Sequence, residues 1–249
     1  MDKEDIRRKA LEDTKEELRE DVDRDRLMVK AVKFLDQTTC DFTDEMDRFR
    51  DWYALHFPEL EKEIQDDEQL VNILSRGIER DNLEAFSEMA ESSTGTELTE
   101  EDLEMLEKAF ETVKKKEDIR EDLEDYVERI AEEEMENMEA LLGPLLTARL
   151  VALAGSLEEI AKKPSSTVQM LGAEKALFRH LKGQGSAPKH GILFEHRYVN
   201  NLSEDQRGKM ARFLANKTVM AARLDQYGDK FKGDELRGEC EEKFQELKD

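Results

Sequence analysis

One run of apolar residues constrains the fold more than any other feature. Leu103, Leu106, Phe110 and Val113 recur at steps of three and four, and Ile119, Leu123, Tyr126 and Ile130 continue the seam. A 3–4 spacing held over several turns specifies a long helix with one sticky edge, which must pack against another helix. Thr99 is placed to cap its start, with Asp102 three residues on. Immediately before it, Glu91-Ser-Ser-Thr-Gly-Thr96 is a polar turn cluster where the chain can reverse. Upstream, Ile6, Ala10, Leu18, Val22, Val29, Val32 and Leu35 form a second helical pattern from about Asp5 to Asp36. The pair reads as an antiparallel helical hairpin, and the expected fold class is all-α.

Composition agrees. Of 249 residues, 38% are hydrophobic and 41% charged, too polar for one thick core and suited to thin helical layers. The net charge of −23 opposes general affinity for nucleic acid and for anionic membranes. No stretch approaches the roughly 18 apolar residues of a membrane span, and the N-terminus does not read as a signal peptide. Cys40 and Cys240 are too few and too far apart for a zinc site or a disulfide framework, and are expected as free thiols.

Within the first arm, Thr43 is placed to cap a helix through Trp52 and Tyr53, and Phe57-Pro58 ends it, with Pro58 opening the next. Trp52, Tyr53, His56 and Phe57 form an aromatic knot flanked by Asp51 and Glu59. It could be a base-stacking platform or a packed helix corner. The flanking acids favour the corner. Asp67 to Ala90 reads as one or two short helices.

Gly143-Pro144 marks a hinge into a different composition. Leu145, Leu146, Ala148, Leu150, Val151, Leu153 and Ala154 are apolar nearly all round, so this helix should be central. Ser156 with Glu159, Ser166 with Gln169, and Ser203 with Gln206 have capping-box spacing. The expected division is a charged N-terminal extension over 1–22, a coiled coil over 23–140, a compact helical domain over 141–230 and a charged C-terminal helix over 231–249.

Pro164 to Gly228 inverts the charge of the chain. Ten Lys/Arg stand against five Asp/Glu there, and three of the four histidines fall in the same stretch. A basic island in an acidic protein is the electrostatic footprint of a phosphate backbone. Lys175, Arg179 and Lys182 share one helical face after a break at Gly172, while Leu177, Phe178 and Leu181 are expected to grip the body. The alternative is an ordinary amphipathic helix with a solvated face. Gly183-Gln-Gly-Ser-Ala-Pro-Lys189 follows as a flexible loop, then Gly191-Ile-Leu-Phe194 as an apolar plug. On the last core helix Met210, Phe213, Leu214, Ala221 and Leu224 face inward, opposite Lys209, Arg212, Asn216 and Arg223. His180, His190 and His196 sit among cations, which opposes a metal. His180 and His190 are candidates for RNA stacking or phosphate contact, or are satisfied core histidines. No catalytic constellation, phosphate loop or dinucleotide fingerprint is present, and no cofactor is expected.

Five ordered stretches together resemble the Nop domain: Ala154-Gly-Ser-Leu157, Lys163-Pro-Ser-Ser-Thr-Val-Gln-Met-Leu-Gly-Ala-Glu-Lys-Ala-Leu-Phe-Arg179, Pro188-Lys-His-Gly191, Arg207-Gly-Lys-Met-Ala-Arg212 and Ala221-Ala-Arg-Leu-Asp225. Arg50-Asp-Trp-Tyr-Ala-Leu-His-Phe-Pro-Glu-Leu60 resembles the coiled coil that precedes that domain in the box C/D guide-RNP branch rather than the splicing-factor branch. The resemblance implies a non-catalytic scaffold that recognises a kink-turn guide RNA together with a bound ribosomal-protein-like factor. It implies RNA contacts at Lys175, Arg179, His180, Lys182, Lys189, His190 and Arg207, and contacts to the protein partner at Gly172, Glu174 and Gln184. It also implies a homodimer through the coiled coil, in the cytoplasm of an archaeon or the nucleolus of a eukaryote. The chemistry, RNA 2′-O-methylation, belongs to fibrillarin. Full-length members carry a fibrillarin-docking domain ahead of the coiled coil, which here begins almost at once; the chain reads either as a fragment or as a short member, and whether these residues dock fibrillarin directly is left open. The competing class is an acidic coiled-coil assembly module without RNA.

Overall fold

The computed structural model describes residue 7 and residues 24–248, and every regular element among them is helical. The expected extension over 1–22 lies, apart from Arg7, outside the described residues. The helices are α1 (Arg24–Tyr53), α2 (Pro58–Glu63), α3 (Asp67–Leu74), α4 (Ser87–Glu91), α5 (Glu100–Glu134), α6 (Glu136–Leu142), α7 (Pro144–Ala154), α8 (Leu157–Lys162), α9 (Ser165–Val168), α10 (Glu174–Leu181), α11 (Arg197–Asn200), α12 (Glu204–Tyr227) and α13 (Gly233–Lys248). Short 3-10 turns lie at 80–82, 84–86 and 192–195. No single helix among the described residues is long and apolar enough to cross a membrane. The chain divides into two compact units, one of residues 34–123 and one built from the described residues on either side of it.

The flanking unit is centred on α7 and α12. Leu146, Ala148, Leu150 and Val151 of α7 are buried, as are Met210, Leu214, Val219 and Ala221 of α12. Gly143 turns the chain between α6 and α7 at φ +82°, a conformation glycine adopts without the Cβ penalty. The N-terminus of α6 is closed by Asp225, whose carboxylate accepts from the backbone N–H groups of Asn137 and Met138, both at 2.9 Å. Burial nevertheless pushes the Asp225 carboxyl above its usual range. Asn137 in turn accepts from Lys232 N–H at 2.6 Å, fixing the approach to α13. That last helix is charged but not detached: Leu236, Cys240 and Phe244 are buried, and Phe244 lies 5.3 Å from the Tyr198 ring. Ser156 caps α8 as its spacing predicts, accepting from Glu159 N–H at 3.1 Å. Ser166 does not cap; Pro164 opens α9 two residues earlier, its fixed φ already suiting a helix start. Ser203 holds the N-cap position of α12, but its side chain makes no bond to a backbone N–H of the first turn.

The 34–123 unit is an antiparallel pairing of α1 and α5 closed by α2–α4. Phe49 of α1 lies 5.5 Å from Phe110 of α5, and Met46, Tyr53, Leu106 and Val113 complete the seam. Thr43 is not an N-cap. Its hydroxyl donates to Thr39 O at 3.1 Å, so the polar group is satisfied inside an unbroken helix. The α5 seam also departs from expectation. Ile119 is 45% exposed, while Glu117 is buried and Arg120 lies over the Phe42 ring at 5.6 Å. The heptad steps from Phe110 to Val113, Glu117 and Arg120, so an ion pair occupies the positions that apolar periodicity assigns to neighbours. Arg120 closes on Glu117 at 2.6 Å and on Glu68 of α3 at 2.5 Å.

The aromatic knot is a packed corner. Tyr53 and Phe57 are fully buried, and the Tyr53 hydroxyl donates to Ile78 O at 3.2 Å. Pro58 opens α2. The polar cluster before α5 is stitched onto this corner. Thr96 N–H donates to Leu55 O at 2.7 Å, and Gly95 lies so close that a Cβ there would meet His56 O at 1.9 Å. Glu59 accepts from the Ser93 hydroxyl at 2.7 Å and from the Thr94 amide and hydroxyl at 2.8 Å each. Thr99 and Asp102 form the expected reciprocal cap on α5.

The Ser93 and Thr94 bonds hold the Glu59 carboxyl down at about 2. A depressed carboxylate contributes stability that is present above its unfolded pKa and lost as pH falls through the folded one. Acid titration of the wild type should therefore show loosening of residues 92–97 between about pH 4.5 and about 2, read as amide-exchange protection. Glu59→Gln should lack that component, showing the loosened loop already at neutral pH.

Candidate nucleic-acid interface

The basic island does not act as one surface. Lys217 is buried and paired with Glu239, and its ammonium lies 5.4 Å from the Phe213 ring, so it serves packing. Arg207 donates to Leu202 O at 2.9 Å and Asn200 O at 3.4 Å, tying down the entry to α12. Of the cations that remain outward, one group lies on α10 and the loop after it and another along α12.

A short backbone platform carries that segment. Gly191 N–H donates to Gln169 O and Ile192 N–H to Leu171 O, both at 2.8 Å. The Gln169 amide crosses to Lys189 O at 2.7 Å. This approach needs glycine: a Cβ on Gly191 would lie 1.8 Å from Leu171 O. Gly172 turns at φ +81° against Ile192, and its N–H donates to Glu174 at 2.9 Å. Glu174 thus closes the turn that starts α10. The core beneath is already filled by Val168, Leu171 and Leu193.

On this platform α10 stands nearly bare, with no buried residue. Lys175, Arg179 and Lys182 are exposed, and none forms an ion pair with a described residue. The expectation that Leu177, Phe178 and Leu181 grip the body fails for two of the three. Phe178 is 64% and Leu181 71% exposed, and only Leu177 is partly covered. A two-turn helix held at its N-terminal end has no body surface within reach of these side chains. The result is a cationic stripe with an exposed apolar flank.

The loop beyond is held to the helix. The amide of Gln184 donates to Arg179 O at 2.9 Å, and the His180 ring meets Gly185 O at 3.1 Å. The Gln184 side chain itself is exposed. His190 stacks on Phe194, centroids 4.8 Å apart and planes at 20°, and the Arg207 guanidinium lies over the same Phe194 ring at 5.2 Å. Burial first, then the charges of Arg207 and Lys189, pushes the His190 imidazole below its usual value, so it is neutral at pH 7 and better suited to stacking than to phosphate. His196 points inward and is pushed down to about 4 by burial. Lys189 is exposed, 3.9 Å from Glu204. Among the described residues no group of three or more His, Cys, Asp or Glu is placed to hold a metal ion.

This geometry brings Lys175, Arg179, Lys182 and the His180–Gln184 turn together on one helix and its loop. His190 and Arg207 gather around Phe194, Lys189 lies beside Gly208 and Glu204, and Gly172 and Glu174 form the turn that starts α10. Phe194 was readable only as a plug; its partial exposure beside a ring and a guanidinium has no sequence signal other than the aromatic itself. A family model, Nop, described as "snoRNA binding domain, fibrillarin", matches residues 34–246. The chain belongs to the Nop family. It is 37% identical over 235 residues to a NOP5 family protein of Methanocaldococcus jannaschii, covering 89% of this chain and 56% of that one. It is also 37% identical over 220 residues to nucleolar protein 58 of Schizosaccharomyces pombe, covering 83% and 43%. The chain therefore spans about half the length of these relatives. A chain in a crystal structure of a fibrillarin/Nop5p complex matches at 26% identity and TM-score 0.49, over 86% of this chain and 78% of that one.

The platform makes a direct prediction for this Nop chain. Gly191→Ala should break the Gly191–Gln169 and Ile192–Leu171 bonds, lowering stability by about 2 kcal/mol in denaturant unfolding.

Proposed function

We propose that this chain is the RNA-binding core of a non-catalytic scaffold in a box C/D-type ribonucleoprotein. It would recognise a kink-turn RNA already carrying a small ribosomal-protein-like factor. One observation carries the reading: α10 offers Lys175, Arg179 and Lys182 unpaired beside the exposed Phe178 and Leu181. Cations alone suit RNA, and apolar side chains alone suit protein. Side by side on a helix that buries nothing, they suit a ligand that presents both.

The remaining roles follow from that face. Lys175, Arg179, Lys182 and Lys189 meet phosphate, and Arg207 holds the loop from which His190 offers a ring. His180 positions the 183–185 turn. Gly172, Glu174 and Gln184 face the protein component with Phe178 and Leu181. The 34–123 unit pairs two copies, for which Trp52 (38% exposed), Leu55 (63%) and Met105 (49%) leave apolar area available. Methyl transfer is left to fibrillarin, which the family description names. The compartment follows the organism, cytoplasm in an archaeon and nucleolus in a eukaryote.

An electrophoretic shift with a kink-turn RNA, alone and bound by its protein, tests the reading. Affinity for the preformed complex should exceed that for naked RNA by at least tenfold, and equal affinity defeats the proposal. With about four phosphates contacted, log K should fall with a slope of about −3 to −4 against log salt. Lys175→Ala with Arg179→Ala should flatten that slope. Phe178→Ala should cost about 1–2 kcal/mol of affinity for the protein-bound RNA only. Because Phe178 is exposed, its loss should leave the unfolding midpoint unchanged.

A further inference from the structure

A second row of cations lies outside the site just described. Along α12, Lys209, Arg212, Asn216, Met220, Arg223 and Tyr227 recur at steps of three and four and are all exposed. The positions between them, Met210, Ala211, Leu214, Ala215, Lys217, Thr218, Val219, Ala221 and Ala222, are buried. The row is therefore one residue wide and, at ~1.5 Å per residue, about 27 Å long. Between Lys209 and Tyr227 it holds three cations and no acid, in a chain of net charge −23; one turn before it, exposed Asp205 draws on Lys209 and Lys189. Lys209, Arg212 and Arg223 form no ion pair with a described residue. Arg223 is steadied by one bond from its Nε to Ala161 O at 3.0 Å, which leaves the guanidinium's other donors for a ligand. The nearest acids on α8, Glu158 and Glu159, are engaged by Lys162 and Lys163.

Two further features say what could lie there. The row begins against the proposed RNA site, because Gly208 packs under Lys189, whose Cβ lies 3.3 Å from the position a Gly208 Cβ would take. Along its length the cations alternate with Met220, 42% exposed, and Tyr227, 61% exposed. Cations along a backbone track that ends on an exposed aromatic, Tyr227, on which a base can stack, are the elements of single-strand recognition. A duplex presents two phosphate lines and no free base faces, which a track one residue wide does not match.

We propose that the exposed face of α12 is a track for unpaired RNA, taking the strand that leaves the protein-bound fold docked on α10. This rests on the reading of the chain as an RNA scaffold, but it uses different residues and a different form of RNA.

Fluorescence anisotropy of the intact chain with a labelled oligouridylate, and with an RNA duplex of equal length, provides the test. The oligouridylate should bind more tightly than the duplex. Arg212→Ala with Arg223→Ala should weaken it about tenfold and reduce the magnitude of the salt slope by about 1.4, two single-strand phosphate contacts at about 0.7 each. Arg212→Lys with Arg223→Lys should restore the slope, which a merely structural role would not do. Tyr227→Ala should cost about fivefold or more through lost stacking. The same alanine pair should leave the shift by the protein-bound kink-turn in place, whereas Lys175→Ala with Arg179→Ala should abolish that shift and spare oligouridylate binding. An unchanged salt slope in the Arg212/Arg223 variant, a preference for duplex, or absence of oligouridylate binding to the wild type overturns the track. Failure of the kink-turn shift alone, with the oligouridylate results as stated, would overturn the α10 reading and leave the track standing.

Discussion

A polyanion approaching this protein meets repulsion over most of its surface, and every other feature of the interface follows from that constraint. At physiological ionic strength charges are screened beyond about 8 Å. Attraction must therefore come from cations close to the ligand and not neutralised by the protein's own abundant acids. Lys175, Arg179 and Lys182 satisfy this because α10 stands clear of the body and contacts no described carboxylate. Lys217, in the same basic stretch, does not, because Glu239 has already claimed it. The island's charge count thus overstates its reach, and under the proposed reading selectivity would rest on the few cations that the fold leaves unspent.

Standing clear of the body has a structural cost that the glycine platform offsets. A helix with nothing buried gains little from the hydrophobic effect, so its position must be set at its root. There the paired backbones of 169–171 and 191–192 do what packing does elsewhere. The close approach at Gly191 and the left-handed turn at Gly172 place the root of α10 directly on the filled core of Val168, Leu171 and Leu193. The apolar residues that would have anchored it are thereby left for something else.

Much of this was legible in the sequence because it rests on periodicity. The all-helical class, the reversal before α5, the turn at Gly143, the buried α7 and the break at Gly172 each have a local signature. What was not legible depends on partners distant in the chain. Ile119 reads as a seam residue because hydropathy cannot see that Arg120 and Glu117 neutralise each other. Phe178 and Leu181 read as anchors because an amphipathic stripe is assumed to have a body beneath it. Thr43 reads as a cap because its tendency to bond its own helix backbone looks the same in sequence. The positions of the α10 cations were readable; that they remain unpaired depended on where every acid finished.

The charged pair inside the seam of α5 bears on alignment as well as stability. Burying Glu117 against Arg120, with Phe42 beneath and Glu68 alongside, gains little over a hydrophobic pair of equal size. Displacing α5 along α1 by one turn would cost far more, because it would strand a carboxylate among aromatic rings. Leucines tolerate such a shift; an ion pair does not. In a hairpin made largely of interchangeable apolar steps, these two side chains act as an indexing pin, selecting one alignment from several of nearly equal apolar burial.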